Sequence, residues 1–258
     1  MTGRYHVNAG LNYVLIPGSP AGLRDETITL PEFLKASANY TTSMAGKWHL
    51  GSAQHKMTPI GRGFDSFTGI YSFDAVFYLS TSIISGIYTW DTDSYTKQIY
   101  EEPWKPAMMI DWVKEFANGS CVHFAEPRHS TEAITAAAEE AIILAAENEA
   151  PLFLYVPFTA AHSPLQPIER HLRQCSHIPH LWRREFCGMV VGLDEGVRNI
   201  TETALQYLGN NTIIVITSDN GGCQPTILVS ILMSVSSCRK SLVRRLECTT
   251  AGKQEHSL

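Results

Sequence analysis

Residues 40–51, YTTSMAGKWHLG, form a short run of β-branched and aromatic residues that ends in a lysine, a tryptophan and a histidine between two glycines. A run of this composition predicts a β-strand. Two later stretches change character in the same way: PLFLYVPF (151–158) precedes TAAHSPLQ (159–166), and NTIIVIT (211–217) precedes SDNGG (218–222). The sequence therefore predicts three strands that each end in polar residues capable of chemistry.

Helical patterns precede these strands at 30–38, 130–149 and 186–209. We expect Ser130 or Thr131 to cap the second helix and Gly209 to end the third. The continuous apolar run 151–158 is typical of a strand buried on both faces. Helices that alternate with apolar strands predict an α/β domain with a largely parallel central sheet flanked by helices.

The rest of the chain departs from this alternation in two places. Residues 71–129 are aromatic-rich and irregular, and we interpret them as insertions over one end of the sheet. From Cys223 onward the chain contains basic residues without periodicity. We therefore predict a domain over 1–222 and a divergent C-terminal tail over 223–258.

Composition excludes some classes of partner and location. A net charge of −5 over 258 residues leaves no broad basic surface, so we expect no nucleic-acid partner. The longest apolar run, TILVSILMSV (226–235), is shorter than the roughly 20 residues that span a bilayer, so we predict no transmembrane segment. The N-terminus lacks an apolar stretch after a basic region, so no secretory signal is predicted in this chain.

Two residue patterns bear on the compartment. Four glycosylation sequons favour a secretory route only weakly, because chance also produces them; they begin at Asn39, Asn118, Asn199 and Asn210. The six cysteines show no zinc-ligand spacing. A Cys175–Cys187 bridge and scattered free or buried thiols remain equal alternatives.

The polar residues after the three strands are the candidate site. They are Lys47, His49, His162, Asp219 and Asn220. In open α/β sheets, ligands bind beyond the carboxyl ends of the strands, so these five side chains are expected to converge.

Lys47 and His49 alternate with Trp48, which places both polar side chains on one side of the chain. A lysine and an imidazole together suit a tetrahedral oxyanion whose charge grows in a transition state. The alternative is that Trp48 is a core anchor and its neighbours are solvated loop residues. His162 has a similar alternative, a satisfied histidine at a strand end.

Asp219 and Asn220 offer hard oxygen ligands on a glycine turn, which favours Ca²⁺ or Mg²⁺. The alternative is a turn capped by its own side chains. Two ligands are also too few for Ca²⁺, which takes about 6–8 oxygens.

Several of these segments, in this order, resemble the sulfatase family of the alkaline-phosphatase-like superfamily. They are TGRYHVNAG (2–10), YTTSMAGKWHLG (40–51), GRGFDSFTG (61–69), PLFLYVPFTAAHSPLQPIERHL (151–172) and NNTIIVITSDNGG (210–222). The sequences of these segments are most similar to those of the arylsulfatase B, I and J subgroup. The resemblance implies an incomplete alkaline-phosphatase-like fold and hydrolysis of sulfate esters.

The resemblance also implies roles for individual residues. Lys47 would bind a sulfate oxygen and the nucleophile, and His49 would hydrogen-bond the nucleophile's hydroxyl. His162 would contact the sulfate and the leaving-group oxygen, while Asp219 and Asn220 would ligate Ca²⁺. Sulfated glycosaminoglycan sugars or aryl sulfates are the implied substrates, and a lysosomal or secretory location is the implied compartment.

Departures from the family limit this expectation. The family nucleophile is a formylglycine made from the cysteine of a Cys-x-Pro-Ser-Arg segment, and Met1-Thr2-Gly3 resembles only the tail of that signature. The paired aspartates of the family's metal site are also absent, and CQPTILVSILMSVSSCRK (223–240) does not resemble the family. We expect a truncated, inactive chain. The alternatives are a non-catalytic fragment or pseudoenzyme that binds anions or a protein, and a phosphodiesterase of the same superfamily.

Overall fold

The structure is a computed structural model that describes residues 1–12, 14–15, 19–71, 112–123, 128–162 and 165–219. The chain divides into two units, Met1–Thr212 and Ile213–Leu258. The helices and strands described below all belong to the first unit. The predicted boundary after residue 222 lies outside the described residues and stays a prediction.

The described elements form a five-stranded sheet with helices. In chain order they are α1 (Leu30–Ala38), β1 (Thr41–Lys47), β2 (Ser66–Ile70), β3 (Trp112–Phe116), β4 (Cys121–His123), α2 (Ser130–Glu147), β5 (Leu152–Tyr155), α3 (Glu169–Gln174) and α4 (Leu181–Leu208). The strand order is β4-β3-β2-β1-β5. β1 pairs in parallel with β2 and β5, whereas the β2–β3 and β3–β4 pairs are antiparallel. The predicted α/β class is confirmed.

The core lies on both faces of β1, whose inner residues are buried. Neighbouring residues of a strand point to opposite faces, so Met44 and Ala45 belong to different clusters. Ala45 packs with Ile70 and with residues of α2 that include Ile134. Met44 joins the other cluster, whose further buried members are Trp48, Phe64, Phe67 and Val113.

Helix ends follow local sequence signals, with one exception. α1 has the predicted bounds because Thr29 and Glu32 form a reciprocal capping box at its start. Gly209, at φ +71°, ends α4 as predicted. The predicted cap of α2 is wrong: His129 is the N-cap and its ring accepts from the Thr131 amide, because the Ser130 hydroxyl instead contacts Thr159.

Two predictions about strands need correction. β5 is half-buried along its length rather than buried on both faces, because it is the outermost strand of the described sheet. Residues 71–129 are not only insertions, because β3 and β4 extend the sheet from within this segment. Residues 72–111 and 124–127 lie outside the described residues.

The predicted third strand is wrong for its described residues. Residues 212–218 have no helix or strand assignment. Ile213 is 93% exposed and Val215 is 81% exposed. β-branched residues favour an extended chain, but a strand also needs a hydrogen-bonded neighbour, and no ladder includes these residues.

A disulfide bond links α3 to α4. Cys175 and Cys187 are bonded and join the end of α3 to α4, which decides between the two alternatives left open by the sequence. Among the described residues, none of the helices combines the length and the apolar character that a bilayer span requires.

Candidate functional site

The carboxyl ends of β1 and β5 meet at one edge of the sheet, because the two strands are adjacent and parallel. The Lys47 amide donates to the Pro157 carbonyl at 2.9 Å. Gly46 makes this approach possible: at φ +131°, an added Cβ would lie 2.2 Å from the Pro157 oxygen. The segments that carry Lys47, His49 and His162 therefore begin side by side.

Trp48 anchors the loop after β1 in the core. Its side chain is 4% exposed and lies edge-on to Phe64, with ring centroids 6.3 Å apart. The indole Nε1–H donates to the carbonyls of Gly51 and Met57, each at 2.9 Å. The alternative of a core tryptophan is thus correct, but Lys47 and His49 beside it are half-buried rather than fully solvated.

His49 is fixed by both its backbone and its ring. Its φ is +54°, a left-handed value that is uncommon for residues other than glycine, and its amide donates to the Tyr71 carbonyl at 2.9 Å. The ring Nε2 lies 2.9 Å from the Leu15 carbonyl. A carbonyl only accepts hydrogen bonds, so Nε2 carries the proton and the orientation of the imidazole is set.

The N-terminal segment is held against this loop by Arg62, which is 2% exposed. The Arg62 guanidinium donates to the Glu32 carboxylate and to backbone carbonyls, those of Leu23, Arg24 and Thr27. The Leu23 amide in turn donates to the Leu50 carbonyl at 2.8 Å. Sequence reasoning quoted the Arg-Gly-Phe-Asp segment without finding this role, since its partners lie 30 or more positions away.

His162 is exposed and lies on a loop whose two ends are bound by the start of α2. The Thr159 hydroxyl is 3.1 Å from the Ser130 hydroxyl, and the Gln166 carbonyl is 2.9 Å from His129 Nε2. His129 is buried, and this burial lowers its pKa because it penalises the charged imidazolium. Sequence reasoning missed the role of His129, which no periodicity or motif marks.

The helix after this loop is held by ionic contacts. Arg170 pairs with Glu132 of α2 at 3.0 Å and with Glu195 of α4 at 2.8 Å. His171, which is 2% exposed, contacts the same Glu195 at 2.9 Å. Hydrogen bonds with Arg170 and His171 hold the pKa of Glu195 below its usual range. The far end of the His162 loop therefore continues into a helix fixed to α2 and α4.

The metal half-site is described only in part. Asp219 is exposed and belongs to the second unit, and Asn220 lies outside the described residues. Across the described residues, no three His, Cys, Asp or Glu side chains are grouped to hold a metal ion. These residues do not form a complete Ca²⁺ site by themselves, and the site stays a prediction.

Comparisons with known proteins agree on one family. A family model described as Sulfatase matches residues 1–224. Arylsulfatase J of Mus musculus is 34% identical over 229 residues, which cover 88% of this chain and 34% of that protein. Arylsulfatase A of Homo sapiens is 46% identical over 77 residues, which cover 29% of this chain and 15% of that protein. This chain thus spans about a third of the length of arylsulfatase J.

Solved structures share the fold. The crystal structure of Ps i-CgsB has a TM-score of 0.65 and 24% identity, and the match covers 81% of this chain and 43% of that one. The PsFucS1 sulfatase from Pseudoalteromonas sp. has a TM-score of 0.54 and 20% identity, with 80% and 41% covered. At these identities the likeness supports the architecture and not a shared substrate.

Proposed function

The chain belongs to the sulfatase family, and from this premise we propose that it supplies the anion-holding part of a sulfuric ester hydrolase. The observation that carries the proposal is the meeting of β1 and β5, where the Lys47 amide donates to the Pro157 carbonyl at 2.9 Å. The two polar segments that follow β1 and β5 start beside this contact, at the edge of the sheet where ligands bind in α/β proteins.

We assign the roles by charge and by hydrogen-bonding capacity. Lys47 supplies a positive charge for one sulfate oxygen, and His49 supplies a ring held in one orientation by the Leu15 carbonyl. His162, on the adjacent loop, contacts the sulfate and the leaving-group oxygen. Donors fixed before the reaction stabilise developing oxyanion charge without a cost of reorganisation.

The substrate class, compartment and cofactors are further parts of the proposal. The sequences of the motifs and the 34% identity to arylsulfatase J support a substrate that is either a sulfated carbohydrate, such as a glycosaminoglycan sugar, or an aryl sulfate. The Cys175–Cys187 disulfide supports an oxidising compartment of the lysosomal or secretory route.

Asp219 and Asn220 are proposed as two of the oxygen ligands of a Ca²⁺ ion. The ion would neutralise charge on a sulfate oxygen, but these two groups leave most of its ligands to be supplied by others. The 258 residues also contain no Cys-x-Pro-Ser-Arg segment that would yield formylglycine. We therefore propose that they bind a sulfate ester without hydrolysing it.

Calorimetric titration of the purified chain with 4-nitrophenyl sulfate tests the site. Lys47→Ala is expected to weaken binding about tenfold or more, because a hydrogen bond to a charged group contributes about 1.5–3 kcal/mol. Lys56→Ala is the matched control, since Lys56 is exposed and pairs with Asp25. Equal affinity in the wild type and Lys47→Ala would overturn the assigned site.

Nitrophenol release in the same samples tests the absence of turnover. Release by the wild-type chain above the Lys47→Ala background would show hydrolysis and would contradict that part of the proposal alone. Binding without release is the expected result.

A further inference from the structure

The corner between α3 and α4 carries an exposed group of basic and aromatic side chains. It lies within the stretch RQCSHIPHLWRREF (173–186), which has three arginines and one glutamate on a chain whose net charge is −5. The group, here called the corner patch, consists of five exposed residues: Arg173, His177, His180, Trp182 and Arg183. The corner patch is therefore a basic area on an acidic chain.

The backbone of this corner is held by covalent and hydrogen bonds. The Cys175–Cys187 disulfide joins its two ends. Arg184, which is half-buried, binds the loop between the helices: its Nε donates to the Ile178 carbonyl at 2.8 Å and its Nη2 to the Pro179 carbonyl at 3.4 Å. A ligand therefore meets a surface whose backbone is already ordered, which lowers the entropy cost of binding.

Two arginines of the corner patch are available to an anion. Within the described part of the chain, the Arg183 side chain has no hydrogen-bond or ion-pair partner. Arg173 Nε lies 3.9 Å from Glu169 Oε1, and the two side chains are 72% and 67% exposed, so water screens this pair and it contributes little. Arg170, by contrast, is engaged by carboxylates of both α2 and α4.

The two available arginines are near enough to contact one elongated ligand. The Cα atoms of Cys175 and Cys187 are 6.1 Å apart, Arg173 lies two residues before the first cysteine, and Arg183 lies about one helical turn before the second. The Cα atoms of the two arginines are therefore no more than roughly 18 Å apart. A chain that repeats an anionic group can occupy both arginines together, and linked contacts strengthen each other.

Aromatic side chains lie beside these cations. Trp182 and Phe186 are 52% and 48% exposed, and residues four positions apart share one side of a helix. An indole offers an apolar face to the C–H groups of a sugar ring and an N–H to its hydroxyl groups. A guanidinium group offers paired N–H donors to two oxygens of one anion. A sugar chain that carries sulfates uses both kinds of group.

We propose that the corner patch is a second binding surface for a sulfated polysaccharide, in addition to the site at Lys47. It binds sulfates of sugars other than the one at Lys47. α3 begins at Glu169, three residues after the loop 159–166 that carries His162, so a short segment links the patch to the candidate site. The choice of a sulfated polymer rests on the proposed function, whereas the charge and exposure of the patch do not.

Calorimetric titration of the purified chain with a chondroitin sulfate decasaccharide tests the proposal. The double variant Arg173→Ala, Arg183→Ala is expected to bind about tenfold more weakly or worse, because it loses two hydrogen-bonding groups that carry charge. Arg198→Ala is the matched control, since Arg198 is an exposed arginine further along α4, and its affinity should equal that of the wild type. The double variant Arg173→Lys, Arg183→Lys keeps the charge and should retain most of the binding.

The Lys47→Ala chain separates this proposal from the proposed function. It should still bind the decasaccharide, and the two alanine substitutions should still weaken that binding, whatever the result with 4-nitrophenyl sulfate. Undetectable binding by the wild type, equal affinity in the wild type and the alanine double variant, or an equal loss with Arg198→Ala would overturn the proposal.

Two further probes test the class of ligand. A hyaluronan decasaccharide carries carboxylates without sulfates, and equal affinity for it would contradict the assignment to sulfates. Vesicles that contain phosphatidylserine test an anionic membrane as the alternative partner. Binding to these vesicles that depends on Arg173 and Arg183, without such dependence for the decasaccharide, would overturn the proposal.

Discussion

The two loops that carry the candidate site residues are held in different ways. The end of β1 and the loop after it, residues 47–51, are anchored by Trp48, whose Nε1–H donates to carbonyls three and nine positions further along. The amides of Trp48 and His49 also donate to the distant carbonyls of Ile70 and Tyr71. The loop after β5, residues 159–166, is bound at its ends by residues 29 and 37 positions earlier in the chain. The first loop therefore combines a local anchor with contacts to distant residues, whereas both ends of the second loop are held by the start of α2.

This difference has a consequence for function. The half-buried Lys47 and His49 adjoin a buried anchor, so their positions depend on the core around Trp48. His162 is exposed, and the two ends of its loop are held by hydrogen bonds to the start of α2. Substitutions in the core should therefore move the first half of the site, and substitutions at the start of α2 should move the second half.

Gly46→Ala is expected to have the largest effect, because it acts where the two loops begin. The new Cβ would meet the Pro157 oxygen, and its φ of +131° is strained for alanine. Overpacking and the backbone strain together should lower the free energy of unfolding by about 3 kcal/mol or more, measured by urea denaturation.

Gly209→Ala separates the two causes. Gly209 also has a positive φ, +71°, but no atom lies within 4 Å of an added Cβ. The Gly209→Ala variant should lose only the strain cost, about 1–3 kcal/mol. Equal losses in the two variants would mean that the approach of β1 to Pro157 is not tight.

Trp48→Phe tests the local hold on the first loop. Phenylalanine keeps an aromatic ring in the core but leaves the Gly51 and Met57 carbonyls without their indole donor. The expected loss of unfolding free energy is about 1–3 kcal/mol. Trp182→Phe, at a tryptophan that is 52% exposed, should change stability by less than about 0.5 kcal/mol. A similar loss in both variants would contradict an anchoring role for Trp48.

The same contrast explains what the sequence could predict. The bounds of α1 follow from Thr29, Pro31 and Glu32, because capping is local. β1 and its polar end were also predictable from residues 40–51. Parallel strands were predictable from the alternation of helices and apolar strands, but the adjacency of β1 and β5 was not.

Features that depend on distant partners were not predictable. The N-cap of α2 is His129 rather than the predicted Ser130, because the serine hydroxyl contacts Thr159 instead. The apolar run 211–217 has strand propensity, but its residues are in no described ladder. Both features depend on contacts between residues that are far apart in the sequence, and a single sequence does not show which distant residues meet.

His129→Asn tests the non-local hold on the second loop. Asparagine can still cap α2, because its short side chain accepts from the Thr131 amide, but it is too short to reach Gln166. Stability should fall by about 1–3 kcal/mol, because the Gln166 carbonyl loses its donor. Amide hydrogen exchange in residues 160–166 should accelerate, since the bond from the His162 amide to the Thr159 carbonyl opens more often.

Ser130→Ala tests the other end of the loop. It removes the contact to Thr159 and should accelerate exchange in the same segment. Exchange near Trp48 should not change in either variant. Unaltered exchange in 160–166 with His129→Asn and Ser130→Ala would show that α2 does not hold this loop.

The smallest effect expected is a pH dependence of stability that depends on His129. Burial lowers its pKa in the folded chain. The hydrogen bond with the Gln166 carbonyl and the Glu132 carboxylate raise this pKa, and the nearby side chains of His171 and Arg170 lower it. In the unfolded chain the ring protonates near pH 6.5. Below about pH 6.5 the unfolded state therefore binds a proton that the folded state does not, and stability falls as the pH drops towards the folded pKa.

The slope of this loss is at most about 1.4 kcal/mol per pH unit for one group. Protonation would also place a second N–H on the ring, at Nδ1, facing the Thr131 amide and the positive end of the α2 dipole.

Urea unfolding at pH 7.5 and pH 5.5 measures the change in stability, with pH values chosen to bracket about 6.5. The change should be smaller in His129→Asn than in His177→Asn, which removes an exposed histidine. An equal change in the two variants would mean that His129 does not contribute to the pH dependence of stability.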